Sequence, residues 1–495
     1  MFKLVSTRDS HKEISFKEAV VNGLASDGGL YAPINISDNK FKIEAYLKLN
    51  YQELAQKLFR IFASDFTDQE IEYVIKHAYQ DSFTTKEVVS LDKYQDNYLL
   101  NLYLGPTSAF KDVALQLLPQ LLEKSLNDKK NKVMILTATS GDTGKAALEG
   151  FKNLANIDIC VFFPYQKVSQ IQDLQMRTTC GSNTHVASLN TDFDGCQKVC
   201  KEIFNDQQFN KELNKANIIL SSANSINIGR LTPQIVYYFY AYKCLLEKKE
   251  INLNEKINFV VPTGNFGNIL AGYYAKLMGL PINKLIVATN ENDVLKDFIN
   301  TGCYSIKERD LIQTISPSMD ILISSNVERL LFELYDHNDE AIKELMLKLD
   351  KTKSYTINKE AKAKLQKVFK AYACSNEESK EIIKKIYNKE KKILDPHTAC
   401  AYQAYDLYLK ESNDKSKTVI LQTASCYKFA KDVYQALTSE VIDDEFLAIE
   451  KISQLTDEKI PENLACLNKL ASKHNSKVDI KQAKDYIRSK LPCLE

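Results

Sequence analysis

Nowhere in the 495 residues does an uninterrupted apolar run approach the roughly 20 residues that a spanning helix needs, so no membrane partner is expected. Charge of one sign is not in excess either. Lys plus Arg number 65 and Asp plus Glu 64, and a net charge of +1 supplies no field to draw the chain to nucleic acid or an anionic membrane. Small molecules are the expected partners, with the chain working as a monomer or homodimer. The eleven cysteines include no C-x-x-C pair, and their odd number fits free thiols in a reducing compartment better than a disulfide framework. Cys196 and Cys200 would face one way on a helix, but no histidine stands near them in a chain with only six, so no metal site is expected. The opening residues, "MFKLVSTRDSHKEISF", lack a signal-peptide apolar core and are not Arg-rich and acid-poor, which makes the cytoplasm the expected location.

What is present is an ordinary globular composition, 44% apolar and 26% charged, in a chain long enough for two or three domains. From about residue 98, short β-branched runs alternate with helical stretches, the pattern of an α/β protein with mostly parallel sheet. Strands are expected at 133–139, 157–164, 185–189, 217–222, 257–263 and 284–290, with active-site loops at their C-terminal ends. The expected organisation is a mainly helical N-terminal domain over 1–97 and an α/β domain over 98–216. A second α/β domain follows, built from 217–335 and 393–440. A Lys- and Glu-rich helical insertion occupies 336–392, and a helical segment 441–495 closes the chain.

Three stretches carry chemistry. In "LGPTSAFKDVALQLL", Gly105 and Pro106 make a turn, Thr107 or Ser108 is placed to cap a helix, and Lys111 shares its helical face with Leu115, Leu118 and Leu122. Taken alone, Lys111 also fits a lysine whose stem covers apolar surface while its amine reaches solvent. "VVPTGNFGNILAGYY" reads as strand, glycine loop and helix, a cup of backbone N–H groups suited to a phosphate. It is neither a dinucleotide nor a Walker loop. "LTATSGDTGKAALEGF" repeats the plan with Ser140, Asp142 and Thr143 between glycines, donors able to hold a carboxylate, or a plain helix cap. A buried lysine between a phosphate cup and a carboxylate cup suggests a phosphorylated aldehyde cofactor joined to an amino-acid substrate, and pyridoxal 5'-phosphate meets that description. Desolvation by Phe110 and the leucines would lower the lysine's proton affinity and supply the neutral amine.

Ordered motifs along nearly the whole chain resemble the threonine synthase family. They are "STRDSHKEISFKEAVVNGLASDGGLY", "GPTSAFKD", "TATSGDTG", "KVSQIQDLQM", "SSANSINIGRLTPQIVYYF", "VPTGNFGNILAGYYAKLMGLPI", "SPSMDILISSNVERLLFEL", "DPHTACAY" and "TASCYKF". The resemblance implies pyridoxal-phosphate fold type II, like tryptophan synthase β subunits: two open, mostly parallel sheets flanked by helices, plus an N-terminal helical domain. It implies that Lys111 carries the Schiff base and serves as acid and base. Gly264, Asn265, Phe266, Gly267 and Asn268 would cradle the cofactor phosphate, and Thr423 would meet the pyridine nitrogen, with Ser425 as a nearby rival. Ser140, Asp142 and Thr143 would meet the substrate carboxylate and the cofactor's ring hydroxyl. Lys167, Ser169, Asn224, Ser225, Asn227 and Arg230 would hold substrate phosphate or carboxylate. The implied reaction takes O-phospho-L-homoserine and water to L-threonine and phosphate. Two alternatives are a phospho-lyase giving 2-oxobutyrate and a non-catalytic metabolite-binding relative.

The chain departs from the family pattern at a few positions. Leu104 stands where many relatives carry His, Gln166 where Gly is usual, Asn268 where Asp is frequent, and Cys426 where Pro is frequent. His397 in "DPHTA" is kept, with structural support and substrate contact both open to it.

Overall fold

The computed structural model describes residues 2–126, 131–456 and 458–491. At the N-terminus the helices Phe16–Asn22, Tyr51–Phe62 and Asp68–Tyr79 each begin with a polar residue followed three positions later by Glu. Ser15 with Glu18, Asn50 with Glu53, and Thr67 with Glu70 satisfy one another's backbone N–H groups as reciprocal caps. This region also holds an antiparallel sheet of β1 (Leu4–Ser6), β2 (Asp9–Ile14) and β3 (Tyr31–Pro33), ordered β2-β1-β3. The hairpin of β4 (Ser90–Tyr94) and β5 (Asn97–Asn101) follows.

Two larger sheets organise the rest. β6 (Lys132–Ala138), β7 (Ile157–Pro164), β8 (Thr184–Leu189) and β9 (Ile218–Ser221) come next in the chain. They are followed by β10 (Ile257–Pro262), β11 (Ile282–Thr289), β12 (Cys303–Ser305), β13 (Ser354–Thr356), β14 (Phe369–Ala373), β15 (Thr418–Gln422) and β16 (Ser476–Val478). The first sheet, β16-β8-β7-β6-β9, is parallel throughout, and the second, β14-β11-β10-β15-β5-β4, is parallel but for β4. β10 is buried along its whole length, as parallel strands covered on both faces by helices are. The helix Ile228–Glu247, buried for most of its length and carrying Tyr237, Tyr238 and Tyr242 in the core, packs against the N-terminal helices Phe16–Asn22 and Tyr51–Phe62 and against the helices Lys111–Leu115 and Gly267–Leu277, with Tyr238 against Phe259 of β10. No helix among the described residues is long and apolar enough to cross a membrane.

The six expected strands all form, but strand order crosses the expected boundaries. β9, assigned by sequence to the segment beginning at 217, pairs with β6, and β4 and β5 join the sheet of β15. The segment 336–392 is more than a helical insertion, because β14 within it extends β11 as an edge strand. Likewise β16 in the C-terminal segment covers the edge of β8, while 492–495 lie outside the described residues. Short polar edge strands carry little β-branched signal, which hides them from periodicity. Cys196 and Cys200 lie buried in an apolar cluster on the helix Phe193–Asn205.

Candidate active site

The stretch after Gly105 does not fold as a simple capped helix. Ser108 takes a left-handed backbone (φ 58°), the helix starts only at Lys111, and neither Thr107 nor Ser108 caps it. Asp112 turns back instead and accepts from the Thr107 N–H at 2.8 Å and the Thr107 hydroxyl at 2.7 Å. A Cβ on Gly105 would sit 2.4 Å from the Asp112 Cβ, so this fold-back requires glycine there. The loop is stitched to the end of β15: Phe110 N–H donates to the Thr423 carbonyl at 2.8 Å and Ser425 N–H to that of Ser108 at 3.0 Å. Burial of Asp112 pushes its carboxyl up to about 6 against those Thr107 bonds.

Lys111 is buried, with 8% of its surface exposed, so its amine does not reach bulk solvent. Its Nζ lies 3.0 Å from Ser318 Oγ, 3.3 Å from Asp142 Oδ2 and 4.9 Å from the centre of the Phe110 ring. Asp142, at the N-terminus of the helix Asp142–Phe151, also receives Gln172 Nε2 and Lys428 Nζ, each at 2.9 Å, and the Ser318 hydroxyl at 3.2 Å. Burial, then the charges of Lys428 and Arg230, lower the proton affinity of Lys111, opposed by Asp142. Burial favours protonation of Asp142, but Lys428 and Lys111 outweigh it and hold the carboxyl well below its usual range.

A cavity of about 100 Å³ opens over the Lys111 amine. Ser140, Asp142 and Thr143 line one wall; Thr423 and Ala424 line another. Gly264, Asn265, Gly267 and Asn268 form the end at the helix Gly267–Leu277, whose first-turn N–H groups lie outside the helix's own backbone ladder, that of Ile269 being taken by Asn268 Oδ1 at 2.9 Å. Carbonyls of the same loop are already matched, Gly264 by Ser324 Oγ at 2.6 Å and Asn265 by the Asn326 side chain at 3.0 Å. Asn224, Ser225 and Arg230 complete the polar lining. Arg230 donates to the Ala223 carbonyl at 3.0 Å, but its buried Nε has no partner, and burial brings its pKa down to about 10, which leaves it charged at neutral pH.

Four expected site residues lie elsewhere. Phe266 takes a left-handed backbone that ends its loop, and its ring packs into the core near Phe369; it contributes main chain only. Asn227 caps the helix Ile228–Glu247 and donates to the carbonyls of Val20 and Ser222, so its side chain is spent on structure. Lys167 and Ser169 line an adjoining cavity that shares Ser140, Phe193 and Pro317 with the first, and Ser169 caps the helix Gln170–Arg177. Ser425 caps the turn Cys426–Phe429, which leaves Thr423 as the cavity's hydroxyl at this end. Leu104 is outside the lining, its carbonyl accepting from Thr84 N–H at 2.9 Å.

Ser318, Gln172 and Lys428 touch the site or its polar network without having been placed there by sequence reasoning, and His397, for which the sequence left structural support and substrate contact both open, joins them. His397 lines the cavity and accepts from Ser318 N–H at Nε2 (3.1 Å) while its Nδ1 faces Asp395 Oδ1 (2.9 Å), which fixes the ring as a support for Ser318. Their motifs, "SPSMD", "IQDLQ", "CYKF" and "DPHTA", were visible, but nothing local to them signals partners that stand from 30 positions away, for Gln172, to 321, for Lys428.

Comparison with known proteins places the chain. Three family models match in order: Threonine synthase N terminus over residues 3–79, Pyridoxal-phosphate dependent enzyme over 90–424, and Threonine synthase, C-terminal over 398–487. A threonine synthase of Saccharomyces cerevisiae is 37% identical across 98% of this chain and 97% of its own. One from Pseudomonas aeruginosa is 40% identical, with 81% of this chain and 84% of its own covered. The crystal structure of a PLP-bound threonine synthase from Brucella melitensis, 35% identical, superposes over 99% of each chain with a TM-score of 0.86.

Proposed function

The chain belongs to the threonine synthase family of pyridoxal-phosphate-dependent lyases, and from that premise we propose that it converts O-phospho-L-homoserine and water to L-threonine and inorganic phosphate. The observation that carries the reading is the buried Lys111 amine, held by Ser318 and Asp142 at the mouth of a cavity whose far ends are built for anions. The residues fit pyridoxal phosphate. An amine of lowered proton affinity suits its aldehyde, and the helix N-terminus at Gly267, where the loop carbonyls are already spent, suits its phosphate. Gly264, Asn265, Gly267 and Asn268, with the main chain of Phe266, hold that phosphate, and the Thr423 hydroxyl meets the ring nitrogen. When bound, the cofactor supplies an electron sink for charge developing at the substrate's α carbon.

The chain's own groups do the rest. Lys111 Nζ takes the α proton and returns protons along the substrate carbon chain, a role that burial favours by lowering its proton affinity. Ser318 Oγ and Asp142 Oδ2 fix its direction. Ser140 and Thr143 orient the substrate carboxylate at the N-terminus of their helix. Arg230, with an unmatched Nε beside Asn224 and Ser225, receives phosphate as it leaves the γ carbon, a charge-assisted contact that strengthens as the anion is released. Lys167 and Ser169, one cavity away, steer the phosphorylated substrate inward. The enzyme works in the cytoplasm, as a monomer or homodimer.

Incubating purified protein with O-phospho-L-homoserine and scoring phosphate, threonine and 2-oxobutyrate together tests the proposal. Equal amounts of phosphate and threonine support it. Keto acid as the main product identifies a phospho-lyase instead, and no turnover leaves a binding protein.

A further inference from the structure

Two lysines share one buried carboxylate, and the proposed chemistry uses only one of them. Lys428 has no exposed surface. Its Nζ sits 2.9 Å from Asp142 Oδ1 and donates to the Thr107 carbonyl at 2.9 Å, so it has both the counter-charge and the hydrogen bond that a buried ammonium requires. Lys111 is worse provided for. Its contact with Asp142 is longer, at 3.3 Å, its second partner is the neutral Ser318 hydroxyl, and Arg230 lines the same cavity as a further cation. Asp142 alone cannot balance three cations in a dry site; Arg230 has fewer contacts still, but a guanidinium keeps its proton where an amine does not, so of the two lysines it is Lys111, with weaker contacts than Lys428, that gives up its proton.

We infer that Lys428 is a positioning residue for Lys111: its amine occupies Asp142, so that Lys111 rests as a neutral amine beside that carboxylate, while its bond to Thr107 fixes the loop that carries Lys111. The inference rests on the reading of Lys111 as the working amine. The direction of the electrostatics agrees, with burial first and then Lys428 and Arg230 lowering the proton affinity of Lys111 against Asp142. Asp112 is the other carboxylate near Lys428: its oxygens are engaged by Thr107, whose carbonyl Lys428 also holds, and the charge of Lys428 draws its proton affinity down against burial; His397 is turned to Asp395 and the Ser318 N–H. Without Lys428, Asp142 and Lys111 would form a one-to-one pair that keeps its proton.

Acetic anhydride reads this directly, because only an unprotonated Nζ attacks its carbonyl carbon and expels acetate. Labelling of each lysine in the full-length, cofactor-free protein is followed by peptide mass spectrometry as pH is raised. In K428M, Lys111 labelling at about pH 8 is expected to fall at least about tenfold, since one unit of pKa is a factor of ten in the neutral fraction. K428R, which keeps the charge, stays within about threefold of the parent. A folded K428M that labels at the parental rate or faster overturns the inference. Should K428M fail to fold, the double variant K428M/D142N removes both charges, and labelling slower than the parent's counts against the idea. The parent itself also decides: Lys111 must label at a pH where Lys428 does not, and the reverse order refutes the assignment. Neither cofactor nor substrate enters the assay, so its failure is distinct from a failure to make threonine.

Discussion

A single methyl group at Gly264 tests how tightly the site is assembled. A Cβ there would lie 2.6 Å from the Ser318 carbonyl oxygen and 3.0 Å from Ile321 Cδ1, and the first of these is backbone that has no rotamer to escape into. To regain an ordinary contact of 3.4 Å, the Ser318 segment must retreat by about 0.8 Å. That segment holds Ser318 Oγ 3.0 Å from Lys111 Nζ and Ser318 N–H 3.1 Å from His397 Nε2, so the same movement takes both contacts beyond hydrogen-bonding range. Losing them costs about 1–3 kcal/mol of site organisation, and a misplacement near 1 Å is worth up to about a hundredfold in rate. Gly264→Ala is therefore expected to lower kcat/KM by between about tenfold and a hundredfold and to weaken pyridoxal phosphate, followed by absorbance titration, by about tenfold or more. The unfolding midpoint of the cofactor-free protein should move little by comparison. Parental turnover and affinity in Gly264→Ala would refute the view that the Ser318 segment closes on the glycine loop to hold the amine.

Three further outcomes follow from the same geometry. Lys111→Ala is expected to abolish threonine formation and borohydride fixation of the cofactor to the chain, read by intact mass; a variant that still fixes cofactor at one site assigns the working amine elsewhere. Asp112, raised to about 6 by burial from an ordinary value of 3.8, binds protons more tightly folded than unfolded. Its contribution is therefore full at low pH and lost as pH rises through that window, by about 3 kcal/mol at most. Urea unfolding of the parent and of Asp112→Asn at about pH 4 and pH 7 should show the parent losing stability relative to the variant at the higher pH. Asn227→Ala, which removes a buried cap, is expected to cost about 2 kcal/mol in denaturant unfolding while leaving kcat/KM nearly unchanged, and a large rise in KM would restore Asn227 to the substrate site.

Much of this was legible in sequence because the signals are local. β10 and β11 declare themselves by short runs rich in Val and Ile, and the glycine loops at 264–267 and 141–144 follow strands as anion cups do. Lys111 stood out as a charge on an apolar line, and the fold buries it. The start of its helix was misread because Asp112 captures Thr107 and forces Ser108 into a left-handed turn, a tertiary bargain that capping rules do not contain. Ser318 and Lys428 escaped for a related reason. Their partners, Lys111 and Asp142, stand more than two hundred positions earlier in the chain, and a serine or lysine in a loop carries no mark of the group it will meet.

The interlacing of the two large sheets bears on how the chain is made. β5 leaves the ribosome early, but the register that seats Leu100 beside Leu421 waits for β15, more than three hundred positions later, and β8 waits for β16 to cover its edge. Neither sheet can close during most of synthesis, so unpaired strand edges persist and closure carries the slow kinetics of long-range pairing. Long exposure of strand edges to wrong partners, and a bare edge on β8 in any chain that ends before β16, are the consequences of that wiring.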